Sequence, residues 1–117
     1  MLKEPPVSQS YIDMTVSLMR SFGVAVERQG ALVYKVPRAV YANPASLQVE
    51  ADASSATYPL AIAAITGGKV TAETVGADSI QGDARFAALL GEMGCAVQQD
   101  GPSTTASGPR PTQRLRA

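Results

Sequence analysis

The chain has 117 residues, 45% of them apolar, and its ten basic and ten acidic side chains cancel to a formal net charge of zero. That length supports one modest core, and the balanced charge supplies no long-range field to draw in nucleic acid or an anionic membrane. Histidine is absent and Cys95 is the sole cysteine, which excludes an intrachain disulfide and any Ser-His-Asp or Cys-His nucleophile within the chain, and argues against a metal centre.

Ser10 to Phe22 reads as a helix, because Ile12, Val16, Met19 and Phe22 recur at helical spacing and Gly23 supplies a left-handed stop. A strand is expected over Val24–Val26, a turn at Gln29-Gly30, and a partner strand over Leu32–Val36. Residues 37–44 read as a loop. Leu47, Val49 and Ala51 alternate with polar residues and predict another strand. Asp52 to Thr66 reads as a second helix, capped by Asp52, Ser54 or Ser55 and ended by Gly67-Gly68; Pro59 forfeits one backbone hydrogen bond near its start. Val70–Val75 is the next expected strand. A third helix opens at Asp83 with Phe86, Leu89, Leu90 and Met93 on one face and closes at Gly94. Strands at Cys95–Gln99 and Ser103–Ser107 follow. The end, with Arg110, Arg114 and Arg116 among Pro and Thr, reads as a solvated basic loop.

Two of these stretches match each other. Phe22-Gly23-Val24-Ala25-Val26 aligns with Met93-Gly94-Cys95-Ala96-Val97, and Gly30 falls on Gly101, at a constant offset of 71 residues. The pattern implies an internal repeat of the form β-α-β-α-β-β. Residues 46–108 supply one complete unit, residues 1–45 the closing α-β-β of a preceding one, and 109–117 a tail. Repeat units hide apolar surface against their neighbours, so one and a half units should leave core residues exposed. The chain reads as an internal fragment of a larger α/β protein.

Three constellations could carry chemistry. In Ser8-Gln9-Ser10-Tyr11-Ile12-Asp13, a helix start with unpaired N–H groups suits a phosphate, Ser8 and Ser10 add hydroxyl donors, and Tyr11 offers a flat face to a ring; equally, Ser10 and Asp13 could form a variant capping box. In Asp52-Ala53-Ser54-Ser55, Asp52 could orient a ligand hydroxyl or simply cap its helix. In Gln81-Gly82-Asp83-Ala84-Arg85, Asp83 suits a first-turn carboxylate and Arg85 could pair with it or with another segment. Cys95, among apolar strand neighbours, reads as an inert buried thiol. The longest apolar run, Leu60–Ile65, is far too short to span a bilayer, and Met-Leu-Lys-Glu-Pro-Pro holds no apolar signal core. A soluble cytoplasmic protein is the expectation.

These segments together resemble 5-enolpyruvylshikimate-3-phosphate synthase, most closely the fungal form that is one domain of the pentafunctional arom polypeptide. The likeness rests on Ser8-Gln9-Ser10-Tyr11-Ile12-Asp13-Met14-Thr15, Met19-Arg20-Ser21-Phe22-Gly23-Val24, Asp52-Ala53-Ser54-Ser55-Ala56-Thr57-Tyr58-Pro59-Leu60-Ala61, Gln81-Gly82-Asp83-Ala84-Arg85-Phe86-Ala87 and Met93-Gly94-Cys95, in that order. It implies an α/β enolpyruvyl transferase fold of six such units in two domains, of which this chain holds about one and a half. It also implies transfer of enolpyruvyl from phosphoenolpyruvate to shikimate 3-phosphate, in the shikimate pathway of aromatic amino acid biosynthesis, with no cofactor and no metal. By resemblance, Ser8 would bind the 3-phosphate, Tyr11 would pack beside the shikimate ring, and Asp52 would lie near the domain crossover within reach of substrate. Partners would be the two substrates and the remainder of the synthase or arom polypeptide. Ser10 stands where the family usually has proline, and Pro5 where a lysine commonly precedes the motif. The family's early Lys-Ser-Arg segment, its glycine-rich loop, its Ser-Ser-Gln triplet and its catalytic groups are missing, so the isolated chain is expected to be inactive. The rival reading is a non-catalytic remnant that binds shikimate 3-phosphate or a protein partner.

Overall fold

A computed structural model describes residue 4 and residues 6–109. The expected tail arginines, Arg110, Arg114 and Arg116, lie outside the described residues. Within them the chain is mixed α/β, with three α-helices and two small antiparallel sheets, as the sequence predicts. Backbone contacts divide it into two compact units, Met1–Val49 and Glu50–Ala117.

In the first unit, helix α1 (Gln9–Ser21) leads into the hairpin of β1 (Glu27–Gln29) and β2 (Val33–Lys35). The helix ends in a Schellman motif: Gly23 is left-handed at φ 83°, its N–H reaches Arg20 O at 2.9 Å, and Val24 N–H reaches Met19 O at 2.9 Å. The expected strand at Val24–Val26 begins instead at Glu27. Val24 has spent its N–H on the cap, and the register pairing Glu27 with Lys35 would set Ala25 against Pro37, which has no N–H to donate. Val24 and Val26 are nonetheless buried. The following loop returns to the helix end, where Ala42 N–H donates to Phe22 O (2.9 Å) and the Tyr41 and Phe22 rings meet edge to face.

The strand expected at Leu47–Ala51 does not form. Alternation predicts a half-buried strand only where a partner exists, and Leu47 and Val49 are exposed. Ala51 alone finds one, donating to Thr74 O at 3.2 Å and Thr74 Oγ1 at 3.1 Å. Thr74 stands at φ 58°, off the extended backbone that a ladder needs. The same turn ends the preceding strand earlier than expected, at Ala72.

The second unit stacks helices α2 (Ala53–Thr66) and α3 (Phe86–Glu92) against a sheet ordered β3 (Lys69–Ala72), β5 (Ser103–Ser107), β4 (Ala96–Asp100). Leu60, Ala64, Leu90, Cys95 and Ala106 form its core, with Val70, Phe86, Met93 and Val97 packed around them. Cys95 is a buried free thiol, as read from its neighbours. The stretch from Gly82 to Arg85 is a 3-10 turn, so the α-helical part of the third helix is shorter than its apolar spacing suggests. Its end repeats the first unit's Schellman geometry at the 71-residue offset: Gly94 N–H to Gly91 O and Cys95 N–H to Leu90 O, both 3.0 Å, with Gly94 at φ 103°. Helix α2 runs unbroken through Pro59 to Gly67. It is apolar on more than its core face. Tyr58, Ile62 and Ile65 form an exposed apolar stripe on it.

Candidate functional site

The start of α1 is built by Ser8, the residue that caps the helix by position. Its carbonyl accepts the Tyr11 N–H at 3.2 Å, yet its side chain makes no capping hydrogen bond, and no acidic residue stands in the first turn. The first-turn N–H groups therefore keep their partial positive charge beside a hydroxyl that has no hydrogen-bond partner among the described residues. The capping box considered for Ser10 and Asp13 is not formed. Ser10 lies inside the helix, and Asp13 accepts from Gln9 Nε2 at 2.7 Å and faces Arg28 at 3.7 Å.

Tyr11 is 66% exposed. It stands at the edge of an apolar groove of about 340 Å³ between α1 and the hairpin, with Ile12, Val16 and Met19 on the helix side and Val26, Tyr34 and Val36 opposite. Spacing placed Ile12, Val16 and Met19 on one face, and that face forms the wall. Three residues that the sequence did not single out tie the wall together. Gln9 Nε2 also donates to the Tyr34 hydroxyl (2.9 Å), and the Arg28 guanidinium sits 5.8 Å over the Tyr34 ring while Arg28 Nε donates to Gly30 O. The Gln9–Tyr34 contact links residues 25 positions apart, so no local motif announces it.

Asp52 belongs to the other unit and caps α2. Its Oδ1 accepts from Ser54 N–H (3.0 Å) and its Oδ2 from Ser55 Oγ (2.6 Å). The Ser55 hydroxyl first, and then the Ser54 N–H, hold the exposed carboxyl below its ordinary value of 3.8. Asp83 joins the same cluster: Ser54 Oγ donates to its Oδ2 at 2.5 Å. Arg85, expected to pair with Asp83 or elsewhere, forms no ion pair among the described residues. Gln81, passed over in favour of its charged neighbours, makes the densest set of contacts. Its Oε1 accepts from Ala53 N–H (2.9 Å), and its Nε2 donates to Ala51 O and Glu50 Oε2 (both 2.8 Å). The structure thus brings Ser8 and Tyr11 together at one helix start and sets Asp52 at another.

A family model described as EPSP synthase (3-phosphoshikimate 1-carboxyvinyltransferase) matches residues 1–116. The chain belongs to the EPSP synthase family. Among its relatives are pentafunctional AROM polypeptides of three fungi. That of Malassezia globosa is 56% identical over 112 residues, covering 95% of this chain. Those of Eremothecium gossypii and Clavispora lusitaniae are each 52% identical, covering 91% and 89% of it. The chain spans 7% of the length of each of these curated relatives. The part matched to the EPSP synthase family includes both the Ser8/Tyr11 helix start and the Asp52 cap. No helix among its described residues is long and apolar enough to cross a membrane.

Proposed function

We propose that this chain is a segment of a 3-phosphoshikimate 1-carboxyvinyltransferase, working in the cytoplasm as part of a longer arom-type polypeptide. The reaction joins the enolpyruvyl group of phosphoenolpyruvate to the 5-hydroxyl of shikimate 3-phosphate and releases inorganic phosphate. The single observation that carries the reading is the start of α1, where the Ser8 hydroxyl makes no capping hydrogen bond, the first turn lacks a carboxylate and Tyr11 stands exposed. That set of groups suits a phosphorylated ring. Ser8 Oγ and the first-turn N–H groups donate to the 3-phosphate, and the Tyr11 ring packs beside the carbocycle.

Asp52 plays the opposite part, accepting from a substrate hydroxyl with the lone pairs that Ser54 and Ser55 leave free. No catalytic group is assigned within this chain. Enolpyruvyl transfer needs preorganised cations where charge develops, and those come from the remainder of the synthase, the partner that the relatives' length implies. The test is an NMR titration of this chain with shikimate 3-phosphate and with shikimate. A preference for the phosphorylated ligand that Ser8→Ala cuts by about tenfold, the scale of one charge-assisted hydrogen bond, supports the reading. Equal affinity for both ligands overturns the role of Ser8.

A further inference from the structure

The loop ahead of α3 carries the Gln81-Gly82-Asp83-Ala84-Arg85 motif, and the substrate contacts proposed above leave its glutamine without a task. Its carboxamide reaches across 28 residues to grip the backbone on both sides of Asp52. Oε1 accepts the N–H of Ala53 at 2.9 Å, and Nε2 donates to the carbonyl of Ala51 at 2.8 Å. The second Nε2 hydrogen goes to Glu50 Oε2 at 2.8 Å. A carboxamide has two N–H donors and one carbonyl oxygen, and here each is engaged. Flipping the group would set N–H against N–H and oxygen against oxygen, so its orientation is fixed.

The grip falls where α2 most needs it. A helix leaves its first N–H groups unpaired. Asp52 Oδ1 satisfies Ser54 N–H, but a capping side chain reaches forward and leaves the Ala53 N–H to another acceptor. Gln81 supplies that acceptor from a distant loop. The loop itself is anchored: Ser79 Oγ donates to Glu50 Oε2 (3.0 Å), Gln81 N–H faces Ser79 Oγ (3.3 Å), and Ala84 N–H closes on Gln81 O (3.2 Å). On its far side Asp83 Oδ2 takes the Ser54 hydroxyl. With both flanking peptides held, Asp52 keeps an extended backbone at φ −71° and ψ 111°, leaving only its own short side chain to turn.

We propose that Gln81 is the positioning residue of Asp52, fixing the helix start so that the carboxylate presents its free lone pairs to a ligand hydroxyl. The consequence for ligand rests on the substrate role given to Asp52 above; the effect on the carboxylate does not. Two variants of the full 117-residue chain test it. Gln81→Met keeps length and removes every hydrogen bond, and Gln81→Asn keeps the amide and loses only reach. Carbon-detected NMR of the Asp52 carboxyl, without ligand, should show its titration moving up towards the ordinary carboxylate range in both, as the frayed first turn loosens Ser54 and Ser55. Binding of shikimate 3-phosphate should weaken about fivefold, the worth of one hydrogen bond, and adding Asp52→Asn should weaken it no further than Asp52→Asn does alone. An unchanged Asp52 titration in a folded Gln81→Asn chain overturns the proposal. A Gln81→Asn chain that fails to fold does so too, by making Gln81 a determinant of the fold. If the titration moves while Asp52→Asn leaves binding untouched, the positioning stands and the substrate role of Asp52 falls. Additive effects on binding overturn the coupling between the two residues.

Discussion

Gly108 closes β5 against the end of α2, and replacing it with alanine tests how tightly the second unit is packed. Its N–H donates to Gly68 O at 2.9 Å. A Cβ placed there would strike the carbonyl oxygens of Ala63 and Ala64 and stand 2.9 Å from Gly67 Cα, where ordinary contact begins at 3.4 Å. All of these are backbone atoms at the last turn of a helix, so no rotamer change relieves the clash. The Ala63 oxygen is the nearest of the three, so strand and helix must separate by about an ångström, and overpacking strain of that kind costs about 1–3 kcal/mol. The same displacement stretches the Gly108–Gly68 hydrogen bond, worth about 1 kcal/mol. Gly108→Ala should therefore destabilise by about 2–4 kcal/mol. Gly94→Ala is the matched control, because Gly94 sits at φ 103° with nothing within 4 Å of an added Cβ. It carries only the conformational cost of a left-handed alanine, about 1–2 kcal/mol. Urea unfolding followed by circular dichroism reads both values. A Gly108→Ala midpoint equal to wild type, or a larger loss for Gly94→Ala, would refute the argument that crowding and not backbone conformation selects glycine at 108.

Leu90→Ala, which hollows the core shared with Leu60, Cys95 and Ala106, should cost about 2–5 kcal/mol in the same unfolding assay, whereas Leu89→Ala on the exposed side should stay within about 1 kcal/mol. The lowered Asp52 carboxyl makes stability pH-dependent. Its contribution is complete above the unfolded value, near 3.8, and is lost as pH falls through the lower folded value. Asp52→Asn should flatten the acid limb of a stability-against-pH curve below about pH 4 and leave its shape near neutrality unchanged. Purified chain mixed with phosphoenolpyruvate and shikimate 3-phosphate should release no phosphate above the enzyme-free rate; measurable turnover would show that the chain carries its own catalytic cations.

Much of the fold was legible because its signals are local. Gly23 and Gly94 end amphipathic helices with the same left-handed cap, and Gly30 and Gly101 both turn hairpins at positive φ, so the 71-residue echo in sequence is an echo in hydrogen bonding. The strand read at Leu47–Ala51 failed for the opposite reason. Alternation of apolar and polar residues records which faces a strand would have, but a strand also requires a neighbour, and neighbours are set by the chain at large. The site divides along the same line. Asp52 as a cap could be read from the Asp-Ala-Ser-Ser run, because a cap reaches residues two and three positions on. Gln81 could not be understood that way, since its partners lie 28 to 31 positions back. The capping box read for Ser10 and Asp13 did not form because the helix starts earlier, at Ser8, which leaves Asp13 inside it to accept from Gln9 one turn before and to face Arg28.

The two helix starts begin from the same physics and reach opposite chemistry. Each presents unpaired N–H groups and the positive end of a helix dipole, which taken alone would attract an anion. At α2 the chain fills that end with its own acceptors. Asp52 covers Ser54 N–H, Gln81 Oε1 covers Ala53 N–H, and the hydroxyls of Ser54 and Ser55 are already donated to Asp83 and Asp52. An anion brought there would meet two carboxylates and no free donor from this set, so the surface suits a hydroxyl or a cation. At α1 no carboxylate occupies the first turn and the Ser8 side chain makes no capping hydrogen bond, so the first turn itself leaves the dipole uncompensated, which is the ground for the phosphate role proposed for Ser8. The difference comes from where the carboxylates fall: at the cap in Asp52, but a full turn inside the helix in Asp13, where Gln9 and Arg28 take it up. Moving one acidic residue to the cap of α1, as in Ser8→Asp, should therefore abolish any preference for a phosphorylated ligand while leaving the helix as well capped as before or better.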